Sequence, residues 1–494
     1  MNKYDLFDSL SRIDDELVTR SNQKNKYKKK DKATPSKSLV FKRVLPAVAM
    51  FAAVISALFG FHVLNAKPTV PNNTDSTISG TNKTPSVNFL NYSVAQPNIP
   101  KQIQFSEDSN SKQSEDFYEQ RRNRIVNNKI EKTDFAEFLT RTAESFLSVK
   151  DNQNKIYSPA NVYIALSMLA SSADGETQKQ ILNVLGADSE TKAREIATKL
   201  LKGNYIDDGT KKSLLTNSVW TSSKFNLNKS FLKELSQNYY APVFSGNTSD
   251  EAYSKALQNW LNSSTDNLLN DAVNDIKFDE QTAMTLVSTL YYAANWESEF
   301  LEKENTEKVF HSPSGDKTCT FMHQRSYEEY IKEDGFGAVK KQFSGGGYMY
   351  FILPDEGVSP ESVIGSKRLT DILCSDNSDN AVTADVKLSV PKFDVSSNLN
   401  LKDYLVSLGM TDAFDFEKAN YSPVSSDKLF LSKIQHAARV SVDEKGVTAA
   451  AFTVETIKGL GVIKTSVDFT LDRPFIFAIT GSSGVMFIGV VNQI

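Results

Sequence analysis

Four histidines are the first residues to test for chemistry, because a neutral imidazole serves both acid–base catalysis and metal binding. His62, His311, His323 and His436 lack the mutual spacing of a metal site. No G-x-S-x-G nucleophile elbow and no H-E-x-x-H motif occurs. Gly481-Ser482-Ser483-Gly484 lies between two apolar runs, where a hairpin turn calls for Gly and Ser on backbone grounds alone. Two cysteines, Cys319 and Cys374, are too few for a disulfide scaffold, and spacing leaves open whether they pair. The sequence points away from an enzyme and calls for no metal and no cofactor.

A different chemistry, that of strand addition, is written in residues 440–462, VSVDEKGVTAAAFTVETIKGLGV. An alternating strand (Val440, Val442) runs into Asp443-Glu444-Lys445-Gly446, where Gly446 supplies a flexible exit. Val447 and Thr448 follow, then Ala449, Ala450 and Ala451, three small residues that can slide between two existing strands without steric conflict. Thr453, Val454 and Ile457 then favour strand once in place. The composition suits a segment that is an exposed loop in one state and a sheet strand in another; a plain surface loop is the alternative. Period-two alternation would put Val447, Ala449, Ala451, Thr453, Glu455 and Ile457 on the inward face. Burying the Glu455 carboxylate is costly unless it protonates or meets a cation.

A loop of that kind needs a large stable body. With 40% hydrophobic residues in 494, the chain can bury one. TDFAEFLTRTAESFL (133–147) offers Asp134 as N-cap and Glu137 as its capping-box partner, with Phe135, Phe138, Leu139, Phe146 and Leu147 at helical spacing. Residues 158–186 and 249–265 also read as helix, and from about 285 strands dominate. GGYMYFILPDEG is a buried run into a proline turn, and TADVKLSVPKFDV alternates Val386, Leu388 and Val390 against Lys387 and Ser389. RPFIFAITGSSGVMFIGVVN reads as a hairpin buried on both faces. Helices first and antiparallel strands later predict an α+β domain over 131–494.

Charge is unevenly placed. The chain carries a net −4, yet residues 1–43 hold 12 Lys/Arg against 6 Asp/Glu. A basic tail fits a membrane or nucleic-acid partner, and the next segment supplies the membrane. VLPAVAMFAAVISALFGFHVL (44–64) contains no Lys, Arg, Asp or Glu. At about 1.5 Å per residue it spans the roughly 30 Å of a bilayer core as a helix, so no nucleic-acid partner is needed. Nine Lys/Arg in 24–43 precede it, which predicts a cytoplasmic N-terminus and an extracellular body. A signal peptide cleaved near Leu64-Asn65-Ala66 is the alternative, disfavoured by the long lead and the bulky Leu64. In the tail, residues 4–21 place Leu6, Phe7, Leu10, Ile13, Leu17 and Val18 on one helical face. Residues 65–130, rich in Asn, Ser, Thr, Gln and Pro, predict a disordered extracellular linker.

Taken in order, these stretches resemble the serpins, protease inhibitors that trap a target by inserting a cleaved loop into their own sheet. FTLDRPFIFAI (469–479) is similar to the family's C-terminal signature, and IYSPANVYIALSMLASSADGET to the helix that opens its shutter. YYAANWESEFLEKENTEKVFH resembles its Trp-bearing strand, PKFDVSSNLNLKDYLVSLGMTDAF its strand–helix unit, and SKIQHAARVSVDEKGVTAAAFT the strand leading into its hinge. The resemblance covers 131–494 and implies a bacterial-type serpin with helices, three β-sheets and an exposed reactive loop, which segment 44–64 would anchor in the membrane. It implies a hinge at Glu444, Gly446, Val447, Thr448, Ala449, Ala450 and Ala451, and a breach at Trp296. It also implies a shutter of Ser158, Asn161, Ser288 and His436, with Asn and Ser exchanged relative to the usual arrangement.

Family spacing counted from Glu444 implies a reactive bond at Leu460–Gly461. Counting back from the C-terminal signature gives Ile463 instead, and Lys458 and Val462 are further candidates. Leu460, Val462 and Ile463 suit chymotrypsin-like or elastase-like serine proteases; Lys458 and Lys464 suit trypsin-like ones. The implied partner is a serine protease, held as a covalent acyl-enzyme by a monomeric inhibitor. Two alternatives stand beside this: a non-inhibitory serpin with a binding or chaperone role, and a signalling protein reporting proteolysis inward through residues 4–21.

Overall fold

Why particular residues become helix or strand is plainest around residue 158. There Pro159 opens a helix at the first position, and the Ser158 hydroxyl accepts the Asn161 N–H at 3.2 Å as N-cap. The computed structural model describes residues 87–106, 111–147, 152–269, 273–374, 380–447 and 465–494. In chain order, a 3-10 turn (Phe89–Tyr92) leads into β1 (Ser93–Ala95), and α1 (Ser111–Asn127) and α2 (Lys132–Phe146) follow. Next come β2 (Lys155–Tyr157), α3 (Pro159–Ser171), α4 (Gly175–Leu185) and α5 (Glu190–Asn204). β3 (Ile206–Asp207), β4 (Lys212–Ser222), α6 (Lys229–Tyr239), β5 (Val243–Gly246) and α7 (Glu251–Ser264) complete the helix-rich half. Strands then dominate, with β6 (Met284–Asn295), β7 (Thr306–Ser312), β8 (Gly315–Glu333), β9 (Phe336–Gln342) and β10 (Tyr348–Pro354). After α8 (Pro360–Ile364) and α9 (Lys367–Cys374) come β11 (Ala381–Pro391), β12 (Phe393–Asn400) and α10 (Lys402–Ser407). The last strands are β13 (Leu431–Val442), β14 (Gly446–Val447), β15 (Ser466–Thr470), β16 (Phe475–Thr480) and β17 (Val485–Val491).

Among the described residues these strands form two sheets where three were expected. One runs β1-β5-β4-β6-β14-β13-β12, with β3 beside β4; the other runs β15-β11-β8-β9-β10-β16-β17-β2, with β7 beside β8. The long strand β8 joins two subsheets: its residues 329–331 pair with β11 on one side and β9 on the other. Helix α3 lies in the main core, with all but Ser171 of its residues buried. That agrees with its nearly unbroken apolar sequence, since a helix apolar all round must be buried all round. The β16–β17 hairpin is likewise buried along both strands.

Two expectations change. The Asp134 capping box does not form: Glu131 occupies the N-cap without a side-chain bond, and Asp134 pairs with Lys192 of α5 at 2.8 Å. An acidic residue in the first helical turn is already favoured by the helix dipole, so Asp134 is free to make that tertiary pair. The second change concerns the linker. The compact unit begins at Ser86, and 87–106 and 111–127 carry elements that pack on the domain. β1 pairs with β5, covering an edge that would otherwise be open, through Ser93↔Phe244 and Ala95↔Val243. Phe89 meets Phe244 edge-on at 6.0 Å and Tyr92 lies 4.9 Å from Tyr253, against a cluster built on Trp220 and Trp260. In α1, Phe117 is buried against Phe105, and Arg124 pairs with Asp208 at 2.9 Å. A polar segment folds here because its few apolar residues each find a site already built by the body. Cys319 and Cys374 are not joined to each other.

The described residues contain no helix long and apolar enough to cross a membrane. The tail 1–43, the span 44–64 and the first part of the linker lie outside the described residues.

Candidate functional site

The larger sheet forks beside the segment singled out at 440–462. Lower down, β6 and β13 pair directly and in parallel, Met284–Leu290 against Leu431–Ala438. Higher up they part, and β14 stands between them: Val447 pairs with Val442 on one side and Ala294 on the other, and Gly446 pairs with Asn295. The chain after β13 has therefore turned back and begun an antiparallel strand two residues long.

Gly446 has a reason beyond the flexible exit expected of it. A side-chain carbon there would stand 2.1 Å from the Ala294 carbonyl oxygen and 2.7 Å from Asn295 Cα. Both are backbone atoms of β6, so only glycine lets β14 approach.

The turn before it is held by polar contacts, most of them at least partly buried. Glu444, 5% exposed, pairs with Lys392 at 2.6 Å and accepts a hydrogen bond from the Asn305 amide. Burial pushes its carboxyl pKa up, but the hydrogen bonds from Lys392 and Asn305 prevail and hold it below the usual value. The Asp443 carboxylate accepts the N–H groups of Lys445 (2.8 Å) and Gly446 (3.1 Å). Trp296, 1% exposed, lies at the mouth of the fork. Its indole N–H donates to the Asp443 carbonyl at 3.0 Å, its backbone N–H to the Lys445 carbonyl at 2.8 Å, and its ring stacks on Phe343 at 4.8 Å.

Below the fork Ser158, Asn161, Ser288 and His436 come together, all fully buried. The Ser158 backbone N–H donates to His436 Nε2 at 2.9 Å. The ring proton therefore sits on Nδ1, 3.2 Å from the Ser288 hydroxyl. Asn161 donates to Ser288 Oγ (2.9 Å) and to the Thr289 carbonyl (2.7 Å), and its own oxygen accepts from Asn217 of β4 (2.9 Å). Burial, opposed only by the Ser288 contact, pushes His436 down to about 3, so the imidazole is neutral. The exchange of Asn and Ser keeps Asn161, Ser288 and His436 hydrogen-bonded, because the longer amide reaches from α3 to two strands, while the buried Asn217 oxygen is left without a partner among the described residues. His436 and Ser288 are also register partners on β13 and β6. Separating those strands must break this network.

Sequence reasoning missed Lys392, Asn305 and Asn217. Each sits far from its partner in the chain, and none belongs to a spaced motif. Of the remaining candidates, Thr448, Ala449, Ala450, Ala451, Lys458, Leu460, Gly461, Val462 and Ile463 lie outside the described residues. His311 makes an exposed polar contact with Asp316, and His323 bonds Thr306 and the buried Ser389. No grouping of His, Cys, Asp and Glu suited to a metal occurs among the described residues.

Residues 132–494 match the family model described as Serpin (serine protease inhibitor). Serpin-ZX of Arabidopsis thaliana is 28% identical over 367 residues, covering 70% of this chain and 93% of that protein. Neuroserpin of Homo sapiens is 28% identical, covering 69% of this chain and 86% of that protein. Among solved structures, the thermophilic serpin tengpin in its native state superposes with a TM-score of 0.66 at 27% identity, over 81% of this chain and 97% of that one. Human thyroxine-binding globulin, solved with its ligand, gives a TM-score of 0.63 at 21% identity over 73% of this chain and 97% of its own, a likeness of fold alone.

Proposed function

The chain belongs to the serpin family, and from that premise we propose that it inhibits serine proteases by suicide-substrate trapping. The protease's serine attacks the Leu460 carbonyl, the Leu460–Gly461 bond breaks, and the Gly461 nitrogen leaves with a proton. An ester then joins Leu460 to the protease. The freed loop enters between β6 and β13 and carries the acyl-enzyme with it before water can complete hydrolysis. One observation carries this reading: β14 already occupies the top of the gap that the loop would fill. Its register, continued downward, sets Ala449 opposite Tyr292, Ala451 opposite Leu290 and Thr453 opposite Ser288, small side chains against a finished core. Glu455 would fall opposite Leu286, beside the apolar hollow of about 10 Å³ lined by Met168, Leu169, Val219 and Leu286. The last turns of insertion therefore favour a protonated Glu455.

Leu460 directs the inhibitor to chymotrypsin-like or elastase-like enzymes, with Lys458, Val462 and Ile463 as the competing positions. The chain acts as a monomer outside the cell, anchored through 44–64 with its N-terminus in the cytoplasm. The test is to mix the protein with a panel of serine proteases and look for an SDS-stable adduct, with mass spectrometry of the released C-terminal peptide. A peptide beginning at Gly461 is expected; a start at Gly459 or Lys464 moves the reactive bond. Cleavage without adduct by every protease would favour the non-inhibitory reading. For the anchor, protease treatment of intact cells should remove the domain and spare a tag at residue 1. Release of a form starting near Lys67 would overturn it.

A further inference from the structure

Just before β4, Lys211 is 7% exposed and donates to the Gly346 carbonyl at 2.7 Å. An ammonium carries three donors, and that is its one hydrogen bond among the described residues. On β6, the Tyr292 hydroxyl is buried and meets no acceptor among the described residues. Both groups converge on one spot. A side-chain carbon on Gly347 would lie 3.6 Å from the Tyr292 hydroxyl and 3.7 Å from the Lys211 nitrogen, with the Thr480 carbonyl oxygen nearer still at 2.6 Å.

Helix α1 supplies more donors. Arg121 brings Nη2 to 2.9 Å from where a side-chain carbon on Gly346 would stand, and it has no acceptor among the described residues. Arg124 is engaged with Asp208 and Gln102, yet its buried Nε has no partner among the described residues. Asp208 is itself occupied by Arg124 and by Thr210, whose hydroxyl lies at 2.7 Å. Over these groups runs a turn of three successive glycines, Gly345, Gly346 and Gly347, at φ of 26°, 80° and 95°. Such backbone favours glycine, and it leaves the half-buried turn with no side chain to cover the cations.

Spare donors and like charges packed together disfavour one another. An anion supplies what the group lacks. We propose that Lys211, Arg121 and Tyr292, beneath the turn 345–347, form a binding site for a small oxyanion of the sulfate or phosphate class. Its several oxygens suit donors that arrive from a helix, a strand and the segment before a strand, and bonds from cations to oxyanions are among the strongest. The site does not follow from family membership, because α1 precedes residue 132, where the match to the family model begins.

Binding should be linked to a proton. Burial first, and then the guanidinium groups of Arg121 and Arg124, push Lys211 down to about 7, against the opposing pull of Asp208. Of the other groups facing it, Asp208 is raised by burial but brought below its usual range by Thr210 and Arg124, and burial raises Tyr292. Neither therefore titrates near neutrality. Affinity should fall about tenfold per unit above about pH 7 as Lys211 loses its proton.

The experiment titrates the full-length chain, in a non-ionic detergent, with sodium sulfate by calorimetry, against sodium chloride at matched ionic strength. One saturable site is expected, with a raised melting temperature and the stated pH slope. Arg121→Gln, on a half-exposed helix face, should weaken binding at least about tenfold, and Tyr292→Phe, which keeps the ring, by about three- to tenfold. Lys211→Met should remove both binding and slope. If Lys211→Met does not fold, Arg121→Gln and the wild-type slope decide. No saturation beyond chloride, unchanged binding in Arg121→Gln, or pH-independent binding would each overturn the site.

Discussion

Ala449→Arg and Ala450→Arg add the same charge one residue apart and should have opposite consequences for inhibition. The register of β14 on β6, with Gly446 opposite Asn295 and Val447 opposite Ala294, decides which. Carried downward, it sets position 449 opposite Tyr292, which is 1% exposed and part of the main core. Position 450 falls opposite Tyr291, on the other face, where Lys212 already holds a cation 5.6 Å from the ring. An unpaired charge forced into the core costs about 3–5 kcal/mol. At about 1.36 kcal/mol per decade, that slows insertion from about a hundredfold to several thousandfold. An arginine on the outer face can lay its stem along the sheet and keep its head in water. The assay mixes each variant with a protease that forms adduct with the wild type, then measures SDS-stable adduct against cleaved inhibitor. Ala449→Arg should be cut and released as a substrate, and Ala450→Arg should still trap. The wild type should melt higher after cleavage, because about ten further residues at about 3.3 Å each add roughly 33 Å of paired strand to β14. Full adduct from Ala449→Arg, equal losses in both variants, or no gain in melting temperature on cleavage would refute the reasoning.

Three further outcomes are expected. Gly446→Ala must drive β14 off β6, because the added carbon meets backbone at 2.1 Å; it should cost about 1–3 kcal/mol, and an unchanged melting temperature would contradict this. Glu444→Gln gives up the charge partner of Lys392 and should lose about 1–3 kcal/mol at neutral pH. Since the folded Glu444 pKa is lowered, the wild-type advantage is complete above the ordinary carboxylate value of about 4.3. It drains as pH falls through the folded value, so the two proteins should converge in acid. His436 runs the same way for a different reason: it is about 3 when folded against an ordinary 6.5, so the unfolded chain takes up the proton first. Stability should fall by about 1.4 kcal/mol per pH unit between those values. Urea midpoints measured down that range should lose most of the slope in His436→Gln, and an equal slope in that variant would rule out His436 as its source.

Where sequence reading failed, it failed by judging segments on their average composition. Residues 87–106 and 111–127 are polar on average, yet Phe89, Tyr92, Ala95 and Phe117 each dock on a ready-made partner. Burial of a few residues is enough when the other half of the contact exists already, and no window average registers that. Asp134 misled in a similar way: its spacing to Glu137 is that of a capping box, but Lys192, far along the chain, offered a better use of the charge.

Local chemistry made the rest legible. The apolar periods of α3, β11 and the β16–β17 hairpin depend only on neighbouring residues, and so did the small-residue stretch after a glycine, the family motifs and their order. Tertiary structure alone decided what those features meet. That Gly446 is required by the Ala294 carbonyl, that Glu444 is held by Lys392 and Asn305, and that Asn161 spans α3 to β6 are facts about groups distant in sequence. Hydrogen bonds and close approaches act over about 3 Å of space, whereas pattern acts over a few residues of chain. Only the folded chain brings the two into one place.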